Sequence, residues 1–233
     1  SVVDVSNQIF SSSKSKIVHP GLFYIGIQKN FEKSFPKTNE NVDINFKLFN
    51  IDGTVTDVTQ VKENFEYEII RQNWEYVNVK SGDELVSRWE RKDEKVASGV
   101  IEKSSTGKIS FEPKKSGCYI VSLKSKDNKN NVIKTQKSFY VTGIDYYWFD
   151  FDSSRMINIE PDKDLYKPGE IATLLLKSPL AEGDYLITVE RDSILYSEIK
   201  HIKGSCSQIQ IPIKEDYLPI VYVSIAACSG RTQ

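Results

Sequence analysis

The chain has 233 residues, which is room for roughly two domains of ordinary size. Its formal net charge is -1 with 27% charged residues, so it lacks the strong basic field of a general nucleic-acid or anionic-membrane binder. A hydrophobic share of 39% is typical of a globular chain, and no apolar run reaches the ~20 residues that a membrane-spanning helix needs.

The first 18 residues are predicted to form a hairpin. Val2-Val-Asp-Val5 begins its first strand, Asn7-Gln8 supplies a polar turn, and the second strand runs through Ile17-Val18. The chain begins without Met and without the basic and apolar regions of a signal peptide. We therefore expect a piece of a longer protein, in which this hairpin is the last one of a preceding domain.

Short runs that alternate between apolar and polar residues recur along the rest of the chain. Alternation with a period of two places one face of a strand inward and the other outward, as in half-buried antiparallel sheets. No stretch of helical length keeps the i, i+3, i+4 apolar spacing of a helix. The pattern predicts an all-β chain of tandem antiparallel β-sandwich domains with very little helix, and the clearest strands are Val42–Phe49, Tyr67–Arg71, Tyr119–Leu123, Ser138–Val141, Ile209–Ile213 and Ile220–Ile225.

Repeated boundary patterns divide the chain. The strand–turn–strand pattern of residues 1–18 recurs at 117–141, and each copy is followed by a new aromatic start, at Leu22-Phe-Tyr24 and at Tyr146-Tyr-Trp148. We therefore predict the last hairpin of one domain at 1–18, a complete sandwich at 19–143 and a second sandwich at 144–233. Because no returning strand follows the apolar run 220–227, we expect the second sandwich to lack its last strand and to show an open edge, or to borrow a strand from residues 1–18 of a neighbour.

Residue types that carry catalysis are sparse. The two histidines, His19 and His201, belong to different predicted domains, and no Gly-x-Ser-x-Gly nucleophile turn or glycine-rich phosphate loop occurs. The lysines between 124 and 129 alternate with polar residues and are predicted to lie on a solvated hairpin tip. We expect no catalytic, cofactor-binding or metal-binding residue. The alternative is a calcium site at the domain junction, and its candidate ligands are Asp145, Asp150, Asp152, Asp162 and Asp164.

The three cysteines are too few and too widely spaced for a disulfide scaffold. We expect isolated buried thiols at Cys118, Cys206 and Cys228, which pack as small apolar groups. A Cys206–Cys228 disulfide remains the alternative, because both residues lie near the end of the chain.

Several motifs occur together in one order. Tyr166-Lys-Pro-Gly-Glu170 is a predicted turn, in which Pro168 presets φ and Gly169 supplies a positive φ. With the other motifs it resembles bacterial α2-macroglobulins, a family of protease-trapping inhibitors, over nearly the whole chain. The other motifs are Val18-His-Pro-Gly-Leu-Phe-Tyr-Ile-Gly26, the strand motif Arg71-Gln-Asn-Trp74, Gly117-Cys-Tyr-Ile-Val121, Ser178-Pro179 with Thr188-Val-Glu-Arg191, and Pro219-Ile-Val-Tyr-Val-Ser-Ile225 with Gly230-Arg231.

The resemblance implies macroglobulin-like sandwiches related to immunoglobulin and fibronectin type III folds, and a non-catalytic scaffold in a periplasmic, cell-envelope or secreted inhibitor. Its implied partners are proteases, through the full-length protein, and neighbouring macroglobulin-like domains. No nucleic acid is implied, and a membrane only through a lipid anchor elsewhere. The family's Cys-x-Glu-Gln thioester motif does not occur here. The remaining alternative is an adhesive or ligand-binding module of the cell envelope.

The resemblance gives structural roles to four aromatic residues. Tyr119 follows Gly117 by two residues and is predicted to be a corner tyrosine, whose hydroxyl ties a loop to its strand. Trp74, Trp89 and Trp148 are expected to anchor a core or the domain junction, and the alternative is an aromatic ligand-binding surface.

Overall fold

The computed structural model describes residues 2–3, 5–29, 35–81, 84–149 and 157–227. Its regular structure consists of antiparallel strands and two short 3₁₀ helices, η1 at Val58–Gln60 and η2 at Glu215–Tyr217. Over these residues, therefore, no helix is long and apolar enough to cross a membrane. The prediction of an all-β chain built from antiparallel sandwiches is confirmed.

Two sheets enclose the first hydrophobic core. The first sheet has the order β3-β4-β9 and the second has the order β11-β10-β5-β8. Along β4, inward side chains are buried and alternate with outward ones that are more accessible, as period-two patterning predicts. Phe23, Phe46, Phe65 and Leu123 from the two sheets meet in one cluster. The strands are β3 Phe23–Lys29, β4 Val42–Asn50, β5 Phe65–Arg71, β8 Glu94–Ile101, β9 Thr106–Phe111, β10 Gly117–Lys126 and β11 Val132–Val141.

Two sheets also enclose a second core. One has the order β12-β13-β16 and the other has the order β15-β14-β17. Leu174 and Leu176 of β13 meet Tyr185 and Ile187 of β14 in the cluster between them. Strand β17 is an edge of its sheet in the described chain, and its residues are half-buried or exposed. The strands are β12 Asn158–Pro161, β13 Ile171–Lys177, β14 Glu182–Glu190, β15 Ile194–Lys203, β16 Cys206–Pro212 and β17 Tyr222–Ala227.

A long hairpin continues beyond the first core. Strands β6 Trp74–Ser81 and β7 Glu84–Arg91 follow β5 and precede β8, and they pair only with each other in the described chain. The prediction of one strand at Arg71-Gln-Asn-Trp74 is wrong, because β5 ends at Arg71 and β6 begins at Trp74. We call these two paired strands, β6 and β7, the arm.

The N-terminal hairpin is shorter than predicted. Within its described residues, β1 Val2–Val3 pairs with β2 Ile9–Phe10, and Asn7 between them has a positive φ of 63°. The expected strand through Ile17-Val18 is wrong: both side chains are more than four-fifths exposed and lie in no strand. Ile17 and Val18 pack on no buried face, and two adjacent apolar residues without burial do not hold a strand.

The tip of the β10–β11 hairpin is solvated at Lys124 and Lys129, as predicted, but it also holds one buried carboxylate. Asp127 at this tip is fully buried. Its carboxylate accepts hydrogen bonds from the backbone N–H groups of Leu22, Lys129 and Asn131, at 2.8–3.1 Å, and from the Asn131 side chain. Although burial opposes the charge, these bonds lower the pKa of Asp127. Asp127 is therefore a buried polar anchor that ties this otherwise exposed tip to the start of β3.

The turn at 166–170 has the predicted backbone. Gly169 has a φ of +87°, and its N–H donates to the Ile213 carbonyl at 2.8 Å. The Tyr166 hydroxyl donates to Asp162 Oδ1 at 2.7 Å, and that oxygen also accepts the Thr173 N–H at 3.0 Å. These contacts join the turn to β13 and to the strand end that follows β16.

The predicted divisions at 1–18, 19–143 and 144–233 stay predictions, as does a missing last strand. The structure shows two cores, one drawn from residues 23–141 and one from residues 172–217. Residues 228–233, on which the question of a returning strand rests, lie outside the described residues.

Candidate functional site

The feature with the most specific geometry is the junction where the two cores meet. A third apolar cluster lies there, formed by Cys118 of β10, Tyr147 and Phe149 of the connecting segment 143–149, Leu175 of β13 and Cys206 of β16. Every one of these side chains is nearly or fully buried. The cluster thus draws on both sides of the junction and on the segment between them.

Backbone and side-chain hydrogen bonds tie the connecting segment to β16. The Gly143 N–H donates to the Cys206 carbonyl at 2.9 Å. Ser205, which is fully buried, accepts the Tyr147 N–H at 2.6 Å and donates its hydroxyl to the Tyr147 carbonyl at 2.6 Å. One serine therefore satisfies both backbone groups of a buried residue, so its removal would leave two buried polar groups without partners.

Close packing supports the same attachment. Gly204 has a φ of +85°, and a Cβ built on it would lie 2.2 Å from the Gly143 carbonyl oxygen. Only glycine fits both this backbone conformation and this approach. The Gln208 amide donates to Thr142 Oγ1 at 2.8 Å and to the Phe35 carbonyl.

A buried arginine supports the junction from the first core. Arg71 at the end of β5 is 5% exposed, donates from Nε to the Ser116 carbonyl at 2.9 Å and lies 5.3 Å from the centroid of the Tyr147 ring. Asp145 accepts both the N–H and the hydroxyl of Ser116, each at 2.8 Å. The Arg71 guanidinium also pairs with Glu94 at 3.7 Å. The cation is therefore balanced by hydrogen bonds, an aromatic face and a carboxylate.

A second cation supports the junction from the other core. Lys177 of β13 is 8% exposed, pairs with Glu160 of β12 and places Nζ 3.9 Å from the centroid of the Tyr140 ring. Burial acts to lower the pKa of Lys177, but the Glu160 carboxylate and the Tyr140 hydroxyl outweigh it and raise this pKa above its usual value. Lys177 therefore stays charged at neutral pH and joins β13 to β11.

The cysteines here are structural. Cys118 and Cys206 are both buried, as predicted, and Cys206 carries a free thiol whose Sγ donates to the Val141 carbonyl at 3.4 Å. Burial raises the pKa of Cys206 to about 12, so its reactive thiolate is scarce at neutral pH. Cys228, the partner in the alternative disulfide, lies outside the described residues.

Two of the tryptophans meet at the junction. Trp89 of the arm stacks on Trp148 of the connecting segment, with ring centroids 4.0 Å apart and planes 10° apart. Neither ring is fully buried, and Trp74 is also half-buried. Of the two predicted roles, the stack places Trp89 and Trp148 at the domain junction rather than in a core, while the buried aromatic residues of the junction are Tyr147 and Phe149.

The predicted corner tyrosine is confirmed. The Tyr119 hydroxyl donates to the Lys115 carbonyl at 2.7 Å, while the ring is buried in the first core. Burial raises the pKa of Tyr119 to about 12, so the hydroxyl remains a donor at all physiological pH values.

The candidate chemical residues lie apart. His19 contacts the Tyr24 hydroxyl at 2.8 Å, and His201 pairs with Asp184 at 2.8 Å on the exposed surface of β14 and β15. The described part of the chain contains no group of three or more His, Cys, Asp or Glu side chains that could hold a metal ion. Of the calcium candidates, Asp145 binds Ser116, Asp162 binds Tyr166 and Thr173, and Asp164 is exposed, whereas Asp150 and Asp152 lie outside the described residues.

This arrangement joins the two cores through packing and hydrogen bonds. Sequence reasoning missed the residues that do so, because Ser205 and Gln208 are ordinary polar residues whose partners lie far away in the chain. The available signal was Gly204 before a polar–cysteine–polar run, which is typical of a tight turn into a buried strand.

Comparison with known proteins bears on the same region. Residues 157–232, which contain all of the second core, match the family model described as the alpha-2-macroglobulin bait region domain. An alpha-2-macroglobulin homolog from Nostoc sp. is 27% identical over 222 residues, which is 94% of this chain and 11% of that protein. The chain resembles the bacterial α2-macroglobulin family. It spans about one tenth of the length of this curated relative.

Solved α2-macroglobulins are also similar to the chain. The crystal structure of Salmonella alpha-2-macroglobulin reacted with methylamine is 16% identical, with a TM-score of 0.40, and the match covers 90% of this chain and 15% of that one. Escherichia coli alpha-2-macroglobulin activated by porcine elastase is 13% identical, with a TM-score of 0.36, and the match covers 83% of this chain and 21% of that one.

Proposed function

We propose that this chain is a non-catalytic part of a bacterial α2-macroglobulin-like protein that inhibits proteases by trapping them. The observation that carries the proposal is the match of residues 157–232 to the bait region domain. A bait region domain bears the segment that a protease cleaves, so a rigid connection from it to the neighbouring sandwich would pass the effect of cleavage onward.

The junction supports this role. Ser205 is bonded to both backbone groups of Tyr147, and Gly204 lies in direct contact with the Gly143 carbonyl. Packed interfaces of this kind move as units rather than deform continuously, so displacement of one sandwich would displace the other. The described residues contribute fixed packing rather than a reactive group.

The finer parts of the proposal follow from the family. We place a macroglobulin-like sandwich at 19–143 and the second at 144–233, in a protein that acts outside the cytoplasm. Its partners are proteases, which engage the full-length protein, and neighbouring macroglobulin-like domains. Because none of the three cysteines lies in a Cys-x-Glu-Gln motif, the chemistry of any thioester belongs to another part of the parent protein.

The test uses the full-length parent protein and trypsin or elastase at equimolar ratio. The expected results are cleavage at a limited site, a smaller radius of gyration by small-angle X-ray scattering, and a captured protease that cleaves a small peptide substrate but not a large protein. The 233-residue chain alone is the control and should not inhibit the protease. Cleavage of the parent without compaction or capture would contradict trapping and favour an adhesive module.

A further inference from the structure

The arm has no strand partner outside itself among the described residues. Strands β6 and β7 have eight residues each and are roughly 25 Å long, and in the described chain they pair only with each other. A two-stranded hairpin alone is marginally stable in water at best. The arm's position therefore depends on what its side chains contact.

A hinge separates the arm from the first core. The Gln72 N–H still donates to the Cys118 carbonyl of β10 at 2.8 Å, and after it the chain leaves that strand. Across the hairpin, the Lys92 N–H donates to the Asn73 carbonyl at 2.7 Å. Residues 72–73 and 92–93 lie in no strand and form the two sides of the hinge.

One face of the arm is aromatic. Tyr76 and Trp89 are opposite each other in the β6–β7 register, and their ring centroids are 5.2 Å apart. Trp89 then stacks on Trp148 at 4.0 Å. Trp148 is next to Tyr147, which Ser205 holds against β16, so the stack attaches the arm to the connecting segment.

The arm also borders a cavity. A space of about 340 Å³ is lined on the arm side by Gln72 and Trp74, and on the junction side by Cys118, Tyr147 and Lys177 among others. Movement of the arm about its hinge would change access to this cavity and to the buried aromatic rings of the junction.

From these observations we infer that the arm, strands β6 and β7, is a hinged clasp that closes over the junction of the two sandwiches and is held shut by the stack of Trp89 on Trp148. This inference goes beyond the proposed function and does not depend on protease trapping. Opening the clasp exposes the junction, and closing it covers the cavity and fixes the connecting segment.

Hydrogen exchange of the 233-residue chain, followed by mass spectrometry, tests the clasp. A stacked aromatic pair changes an opening equilibrium by about two- to tenfold. We therefore expect Trp148→Ala to speed exchange of the arm amides by about two- to tenfold and to leave β10 and β11 unchanged. Trp148→Phe keeps a ring on the stack and should stay near the wild-type rate. Tyr222→Ala, at a 64% exposed ring on β17, is the matched control.

A second readout measures how accessible the cavity is to a small reagent. The rate at which iodoacetamide labels Cys118 should rise by a similar factor in Trp148→Ala. Trp89→Ala removes the stack from the arm side, so it should give the same result. It serves as the test variant if Trp148→Ala does not fold. The clasp is contradicted if both alanine variants leave arm exchange and Cys118 labelling unchanged. It is equally contradicted if β10 and β16 speed up as much as the arm, since that would be global loss of stability.

Discussion

Replacement of Gly204 by alanine tests how tightly the junction is packed. Gly204 is buried, has a φ of +85° and donates its N–H to the Ala181 carbonyl at 2.8 Å. A Cβ on this residue would lie 2.2 Å from the Gly143 carbonyl oxygen and 2.8 Å from Ile144 Cα. Both obstacles are backbone atoms, so relief requires movement of the connecting segment.

Gly169 provides a matched control. It has nearly the same φ, +87°, and its N–H donates to the Ile213 carbonyl at 2.8 Å, but no atom lies within 4 Å of the added Cβ. Gly169→Ala therefore adds only the backbone strain, which costs about 1 kcal/mol. Gly204→Ala adds the same strain and an overpacking cost of about 2 kcal/mol.

The assay is urea unfolding followed by far-UV circular dichroism, with the free energy of unfolding compared among wild type, Gly204→Ala and Gly169→Ala. We expect Gly204→Ala to lose about 2 kcal/mol more than Gly169→Ala, or roughly 4–8 °C in Tm for a chain of this size. A displaced junction should also broaden the transition, because the two cores then unfold less cooperatively. Equal losses in the two variants would refute the close approach of Gly204 to the connecting segment.

Three further outcomes are expected. Ser205→Ala should lower the free energy of unfolding in urea by about 3 kcal/mol, because both buried backbone groups of Tyr147 lose their partner. The control is Ser224→Ala, at an exposed residue of β17, which should change that free energy by less than about 0.5 kcal/mol. Asp127→Asn should cost about 2 kcal/mol at pH 7. The folded pKa of Asp127 is lowered, so the stability that its charge contributes is present above the ordinary carboxyl pKa and is lost as pH falls through the folded value. The free energies of unfolding of the wild type and of Asp127→Asn should therefore converge below about pH 4. A difference between them that stays constant to about pH 2 would count against this. Tyr119→Phe should cost about 1 kcal/mol by thermal melting, and no loss would mean that the corner hydrogen bond adds no net stability.

Much of the sandwich architecture could be predicted from period-two alternation. The run 42–49 became β4, with buried and accessible residues in turn, because a sheet over a core buries every second side chain. The turn at Gly169 was also predictable, since its residue types demand a positive φ. These features depend on local chemistry and on one buried face.

The arm and the junction depend on long-range contacts, which alternation does not encode. Strand β7, Glu84–Arg91, is rich in charges, so its sequence lacks the usual strand signal. Ser205 is one polar residue in a buried stretch, and its two bonds to Tyr147 bridge 58 positions of the chain. The strand expected through residues 17–18 did not form, since Ile17 and Val18 are exposed and belong to no described strand.

The stack of Trp89 on Trp148 has a spectroscopic consequence. All three tryptophans of the chain lie in the arm or the connecting segment, and the second core contains none. Tryptophan fluorescence will therefore report on the arm and the connecting segment, and it will sense the second core only through the contacts that Leu175, Ser205 and Cys206 make with that segment. An emission change that precedes the loss of dichroism would mark detachment of the hairpin while both sandwiches are still folded.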